Sequence, residues 1–441
     1  MPDACRTPKW FPLDMAGTIY PVTRSRRWNA TCRVGFLLKE EADPARLRQA
    51  LSDLRPRYPS FFVGVRQGFF WYYLEPVDNT DVVYPESDYP CRPMELFSET
   101  RPTLRVTYDR RRFSVEFSHL VADGGGILVF LQALLARYLA LGGADGDPPA
   151  FEGPPTPGEL ADSFMEFHEK SGKLPQGARP KGGRPAYQYR APHAPDYLKV
   201  IHGQVPLEDI LPMAKARGLT ITDYLMAVYL YAFYEADPRA RHSRKPIQIS
   251  IPVSLRQYYP SESLRNFSLF AVLGFDPGAR ENYTFDDVVE AMRGKLAAAT
   301  ARGEMHKLLC GSVSLMHSPV FRALPNALKR QCMRLGSQLV GERTNTSVLS
   351  NLGRFELPPG LAAHVETVEV VVGDGRQKRI LCVVVSDERL LHVYFSGNTR
   401  AADVQRAFFR QLAREGARVR VESNIRQKED GLCAAAPATS T

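Results

Sequence analysis

The feature that most constrains this chain is a change of period around residue 119. In FSVEF, Phe113 to Phe117, apolar and polar residues alternate as on a half-buried strand. From Ile127, in ILVFLQALLARYLAL, apolar residues recur at helical spacing instead. Between the two lies HLVADGGG, His119 to Gly126. A strand that enters a buried helix through a polar turn requires a layered sheet-and-helix fold, and it gathers the turn's side chains near the helix's N-terminal N–H groups. A histidine at a strand end can serve as a general base, because its ordinary pKa is about 6.5. An aspartate four residues on can hold the imidazole, cap the helix or pair with a distant arginine. The glycines let another chain or a ligand approach the backbone closely. HxxxDG arises by chance in roughly one chain in thirty of this length. Alone, it leaves open a plain turn histidine beside a capping aspartate.

The rest of the chain supplies sheet and helix in mixed order. Its 441 residues exceed one ordinary core, so two lobes are expected. The first, residues 1–142, carries a strand in ATCRVGFLLK and a helix in DPARLRQALSDL capped by Asp43. It also carries an aromatic hairpin turning at Gln67-Gly68 and a second hairpin turning between Asp109 and Arg112. Residues 143–195 are rich in Gly and Pro and read as a crossover segment, with one short helix near Ala161 to Lys170. The second lobe, 196–424, resumes the pattern. TITDYLMAVYLYAFYEA is a buried helix with its cap at Thr222, KPIQISIPVSLR is a strand ending at Arg256, and RILCVVVSDERLLHVYFSG is a hairpin around Asp387-Glu388. The Ala/Thr tail, 425–441, reads as disordered. The fold class expected is α+β, with mixed sheets and flanking helices.

Composition narrows the function. The N-terminus has no signal-type apolar core, and the run from Tyr224 to Tyr234 is too short to cross a bilayer. Seven scattered cysteines, with no CxxC pair and no Cys/His cluster, fit reduced thiols in a cytoplasmic protein and no metal site. The net charge of +9 suits an anionic partner such as a phosphate-bearing cosubstrate, although no nucleic-acid motif accompanies it.

Three further pieces join the turn. HLVADG, PVSLR (Pro252 to Arg256) with LRNFS (Leu264 to Ser268), and LSNLG (Leu349 to Gly353) follow one another along the chain. In that order they resemble the coenzyme A-dependent acyltransferase superfamily, which includes chloramphenicol acetyltransferase, wax ester synthases and peptide-synthetase condensation domains. FPLDMAGTIYP and GFFWYYLEP add a likeness to bacterial alcohol acetyltransferase-like proteins, so the resemblance spans nearly the whole chain short of the tail.

The resemblance implies two chloramphenicol acetyltransferase-like lobes with a tunnel at their interface. It implies His119 as the general base that takes a proton from an acceptor hydroxyl or amine as the acceptor attacks an acyl-coenzyme A thioester. Asp123 would pair with an arginine, Arg256 being the candidate, and would hold the turn rather than relay protons. Gly124 and Gly125 would border the pantetheine arm, and Ser350 and Asn351 would donate to the oxyanion. A local turn satisfied by Asn351 is an equal alternative. No cofactor would be bound permanently, since acyl-coenzyme A is a cosubstrate. The other partner would be a small alcohol or amine, with no nucleic acid and no integral membrane contact, and a monomer is compatible with all of this. Two departures bear on the donor. Ser118 stands where condensation domains usually have a second histidine, and the DFGWG motif of plant acyltransferases is absent. Both favour a free-standing transferase over a condensing enzyme acting on carrier-protein thioesters. A catalytically silent scaffold that binds thioesters or carriers is the remaining alternative.

Overall fold

In a computed structural model, described for residues 9–23, 30–87, 89–144, 153–171, 183–194, 197–316, 318–336, 342–373 and 378–424, the period changes of the sequence become element boundaries. The tail at 425–441 and residues 172–182 of the crossover segment lie outside the described residues. The alternation before the turn forms the strand Arg112–Ser118, and the apolar run after it forms the helix Gly124–Leu141. That helix is apolar on nearly every side because it is packed on nearly every side. Phe130, Leu131, Leu134 and Leu135 are wholly buried, against the helix Pro44–Leu54 and the sheet beneath. Asp43 caps Pro44–Leu54, its Oδ1 accepting from Ala45 N at 2.8 Å.

The first sheet has five strands in the order Val365–Val372, Thr31–Leu38, Arg112–Ser118, Leu104–Asp109, Val83–Pro85. Its hairpin turns at Arg110-Arg111, with Arg110 in the left-handed region at φ 46°. The edge strand Val365–Val372 comes from the second half of the chain and lies antiparallel to Thr31–Leu38. Ion pairs Arg112–Glu369 at 2.6 Å and Arg111–Glu366 at 3.0 Å flank it, so the two lobes share one sheet. A small sheet of Phe11–Pro12, Tyr72–Pro76 and Val63–Gln67 holds the aromatic hairpin.

The second sheet has seven strands: Ser268–Phe275, Ile247–Ser254, Ser347–Arg354, Leu381–Ser386, Leu390–Gly397, Lys199–Pro206 and Arg420–Ser423. Ser347–Arg354 runs parallel to both its neighbours, while the other pairings are antiparallel. Helices Ile221–Ala236 and Asp403–Arg414 pack on it around Tyr229, Phe233, Phe395 and Phe408. Two local expectations need correction. The cap of Ile221–Ala236 is Thr220, not Thr222. Thr220 and Asp223 form a capping box, Asp223 N donating to Thr220 Oγ1 at 3.2 Å and Thr220 N to Asp223 Oδ2 at 3.3 Å. The strand that begins at Ile247 stops at Ser254, and Arg256 lies in the single 3-10 turn Leu255–Gln257.

The architecture is therefore mixed α+β in two lobes. It brings to one place the end of a central strand of the first sheet, at Ser118, and the two ends flanking the outer hairpin of the second, at Ser254 and Ser268.

Candidate functional site

The turn after Ser118 is fixed from below by Asp123. As N-cap of Gly124–Leu141 it accepts from Gly126 N through Oδ1 at 3.2 Å. Its other oxygen, Oδ2, accepts from Arg256 Nη1 at 2.7 Å, Phe267 N at 2.8 Å and Ser268 Oγ at 3.0 Å. The carboxylate is buried and its acceptor sites are committed to the floor of the turn, so it holds two lobes together. Arg256 completes the clamp by donating Nη2 to the carbonyls of Ser263 and Arg265, each at 2.7 Å. The third glycine has its own reason. A Cβ on Gly126 would lie 1.9 Å from the carbonyl oxygen of Leu264, so only glycine lets the SLRNFS loop pass over the helix start.

His119, half-buried, continues beyond the strand with its N–H donating to Ala30 O at 2.9 Å. Its ring stacks on Tyr20, with centroids 5.5 Å apart and an interplanar angle of 25°. Nδ1 is 3.1 Å from Asn266 Oδ1. The orientation of Asn266 follows from its other partners. Nδ2 donates to Leu120 O at 3.3 Å and to Asp14 Oδ2 at 3.1 Å, and a backbone carbonyl can only accept. The amide oxygen therefore faces the imidazole, which among the neutral tautomers favours the one with its proton on Nδ1. In that tautomer the ring lone pair is on Nε2.

Asp14 anchors this arrangement. It is fully buried, accepts from Gly17 N at 2.6 Å and from Asn266 N at 3.3 Å, and lies 3.8 Å from Arg265 Nε. Burial raises its pKa, against the opposing effects of Arg265 and the N–H donors. Asp162, also beneath the loop, is pushed up to about 6 by burial and then by the charge of Asp14.

The second lobe reaches the turn through Leu352. A Cβ on Gly124 would come within 2.5 Å of Leu352 Cδ2, which places the LSNLG segment directly over the helix start. Ser350 and Asn351 are half-buried on the same strand. The Asn351 amide donates to Thr222 Oγ1 at 2.7 Å and accepts from Gly353 N at 2.8 Å, a pattern that fixes the strand end to the helix Ile221–Ala236. Gly125 is exposed, with Asp123 and Arg256 at ordinary contact distance from where its Cβ would be. Sequence reasoning gave no role to Asn266, Asp14 or Tyr20, although all three lie in stretches that carry the family likeness. A weak signal was present for one of them: the acid of FPLDMAG, Asp14, stands alone among apolar neighbours.

No family model and no curated protein matches the sequence. Solved structures do. Polyketide synthase associated protein 5 from Mycobacterium tuberculosis superposes with a TM-score of 0.61 at 15% identity, over 92% of this chain and 98% of that one. The first condensation domain of the CDA synthetase gives 0.59 at 17%, over 92% and 96%. Trichothecene 15-O-acetyltransferase from Fusarium sporotrichioides gives 0.59 at 10%, over 94% and 99%. The chain has the two-lobed fold shared by coenzyme A-dependent acyltransferases and condensation domains.

Proposed function

We propose that the protein is an acyltransferase that moves an acyl group from acyl-coenzyme A to a hydroxyl or amine, with His119 as general base. One observation supports the reading: the Asn266 amide oxygen faces His119 Nδ1 at 3.1 Å, an arrangement that favours the neutral Nδ1–H tautomer, with its lone pair on Nε2, at a strand end where the lobes meet. In the reaction Nε2 takes the acceptor's proton as its oxygen or nitrogen bonds to the thioester carbonyl carbon. The tetrahedral intermediate then collapses, the C–S bond breaks, and the proton passes to the departing thiolate. Asp123 and Arg256 keep the turn in place and take no part in proton transfer. Donor and acceptor would enter from opposite ends of a tunnel between the lobes, with Gly124 and Gly125 beside the pantetheine arm and Ser350 and Asn351 near the oxyanion. No cysteine is asked to carry the acyl group: of the five free cysteines among the described residues, four are buried.

Thiol release at saturating acyl-coenzyme A and acceptor tests this reading. His119→Ala should lose turnover by roughly 10²–10⁴-fold while donor affinity by calorimetry stays near the parent's. Full activity in the variant would remove His119 as the base and leave a binding scaffold. A condensing enzyme is the second reading, favoured by the condensation-domain likeness. It requires turnover with an acyl-carrier thioester and none with the free coenzyme A ester.

A further inference from the structure

The aromatic hairpin ends in an exposed tip. Phe69 is 72% exposed and Trp71 53%, at the turn between Val63–Gln67 and Tyr72–Pro76. The tip is seated on the helix Asn326–Gly336. Two of the helix's polar residues, Asn326 and Lys329, are buried, while Leu328, Cys332 and Leu335, at i, i+4 and i+7, are exposed beside Gln331. The buried pair holds the tip. Asn326 N donates to Phe69 O at 2.9 Å and its Nδ2 to Gly68 O at 2.8 Å, while Lys329 Nζ donates to Phe70 O at 2.6 Å. Val320, in the preceding helix Pro319–Ala323, is 76% exposed. Polar anchoring inside and large apolar groups outside is the reverse of what a surface helix in water needs.

The charge of this region has one sign. From Met305 to Gly341 the sequence contains no Asp or Glu and five Lys or Arg. Arg322 is exposed and Arg330 half-buried, and neither has a carboxylate partner among the described residues. Exposed Trp and Phe beside aliphatic groups and unpaired cations match the chemistry of a bilayer's headgroup boundary, where aromatic rings sit among glycerol groups and cations meet lipid phosphates.

We propose that this face docks the protein peripherally on an anionic lipid surface. Its place in the fold gives it a use. The helix Ile19–Thr23 packs against Asn326–Gly336 and carries Tyr20, whose ring stacks on His119. A bilayer seated on the tip would lie one helix away from the base and could deliver an acceptor alcohol or amine dissolved in the membrane. This second part rests on the transfer reading, whereas the docking itself does not.

The test is co-sedimentation of the full chain with vesicles of phosphatidylcholine, with and without phosphatidylglycerol. The parent is expected to bind the anionic vesicles, to release them as salt rises, and to bind the neutral ones weakly. Phe69→Ser with Trp71→Ser, and separately Arg322→Glu with Arg330→Glu, should each lower partitioning by at least about tenfold. Because these variants alter a surface, circular dichroism should match the parent. A Trp10→Phe, Trp28→Phe protein, which keeps Trp71 alone, gives an independent readout: brominated acyl chains should quench it. His119→Ala should bind vesicles as the parent does, so loss of turnover with intact binding separates failure of the transfer reading from failure of this one. The proposal is overturned by an absence of anionic-vesicle binding at low salt, or by variants that bind like the parent. It is equally overturned if the patch variants instead break up a dimer, or abolish binding of an acidic carrier protein in a chain that ignores vesicles.

Discussion

Replacing Asp123 with Asn keeps the shape of the turn and removes only charge and one acceptor. The cost can be worked from the contacts of the carboxylate. Three donors converge on Oδ2 and one on Oδ1. If the new amide oxygen takes the Oδ2 position, its NH₂ faces the N–H of Gly126, and the cap is lost at about 1 kcal/mol. The opposite orientation points the NH₂ at Arg256, Phe267 N and Ser268 Oγ together, which is worse. In either case Arg256 loses its counter-charge, and breaking a buried pair from one side costs about 3–5 kcal/mol. The lower end applies here. The Arg256 side chain retains 22% of its exposure and keeps two carbonyl acceptors. With the lost cap added, a loss of about 4 kcal/mol is therefore expected, measured as a lower urea midpoint at unchanged slope. Turnover should fall with it, because the loop that carries Asn266 hangs from the same clamp. Asp123→Asn combined with Arg256→Gln should cost less than the sum of the two single changes, since the second removes the orphaned charge. If Asp123→Asn unfolds like the parent and only thiol release falls, the clamp argument fails and the carboxylate must act on the chemistry directly.

Other residues make further expectations. Asn266→Ala frees the imidazole to change tautomer and should lower kcat by about 10²-fold with little change in donor KM. Asn266→Asp would turn its second oxygen on Asp14 and Leu120 O, both acceptors, and should unfold at lower urea than Asn266→Ala, so equal stability in the two would refute the assigned amide orientation. Gly126→Ala places a methyl group 1.9 Å from Leu264 O and should fold poorly or melt well below the parent, whereas Gly125→Ala, which meets nothing closer than 3.5 Å, should not. His202 is held near pKa 3 by burial and then by His392, with its Nε2 at 3.1 Å from His392 Nδ1 and its ring stacked on Tyr394. Its folded pKa lies below the ordinary 6.5, so the unfolded chain binds the extra proton first, and stability present above pH 6.5 is lost as pH falls toward 3. Urea midpoints of His202→Gln should fall less over that window than the parent's, and parallel curves would count against the assignment.

What the sequence revealed depended on how local the determinant was. The strand, turn and helix around His119 are encoded by their own periods, and the helix-capping acid lies four residues from the histidine it supports. The capping error at Thr222 was also local. Thr220 precedes the helix and Thr222 lies in its first turn, and only Thr220 has an acid three residues on, at Asp223, to close the box. That frees the Thr222 hydroxyl, which is where the second lobe ties down Asn351. The edge strand Val365–Val372 was of another kind. VETVEVVV reads as a strand from its own residues, yet nothing within it says that it will cross to the sheet of Thr31–Leu38, because register and partner are set by the faces it meets. Asn266 belongs to the same class. Its amide matters because residues separated from it by 146 and 252 positions, Leu120 and Asp14, accept from its nitrogen and so force its oxygen toward the imidazole. His119 could be located from its own turn, but the partners of its ring could not. Those partners come from three chain segments meeting at one point, and the Asp123–Arg256 clamp helps make them meet.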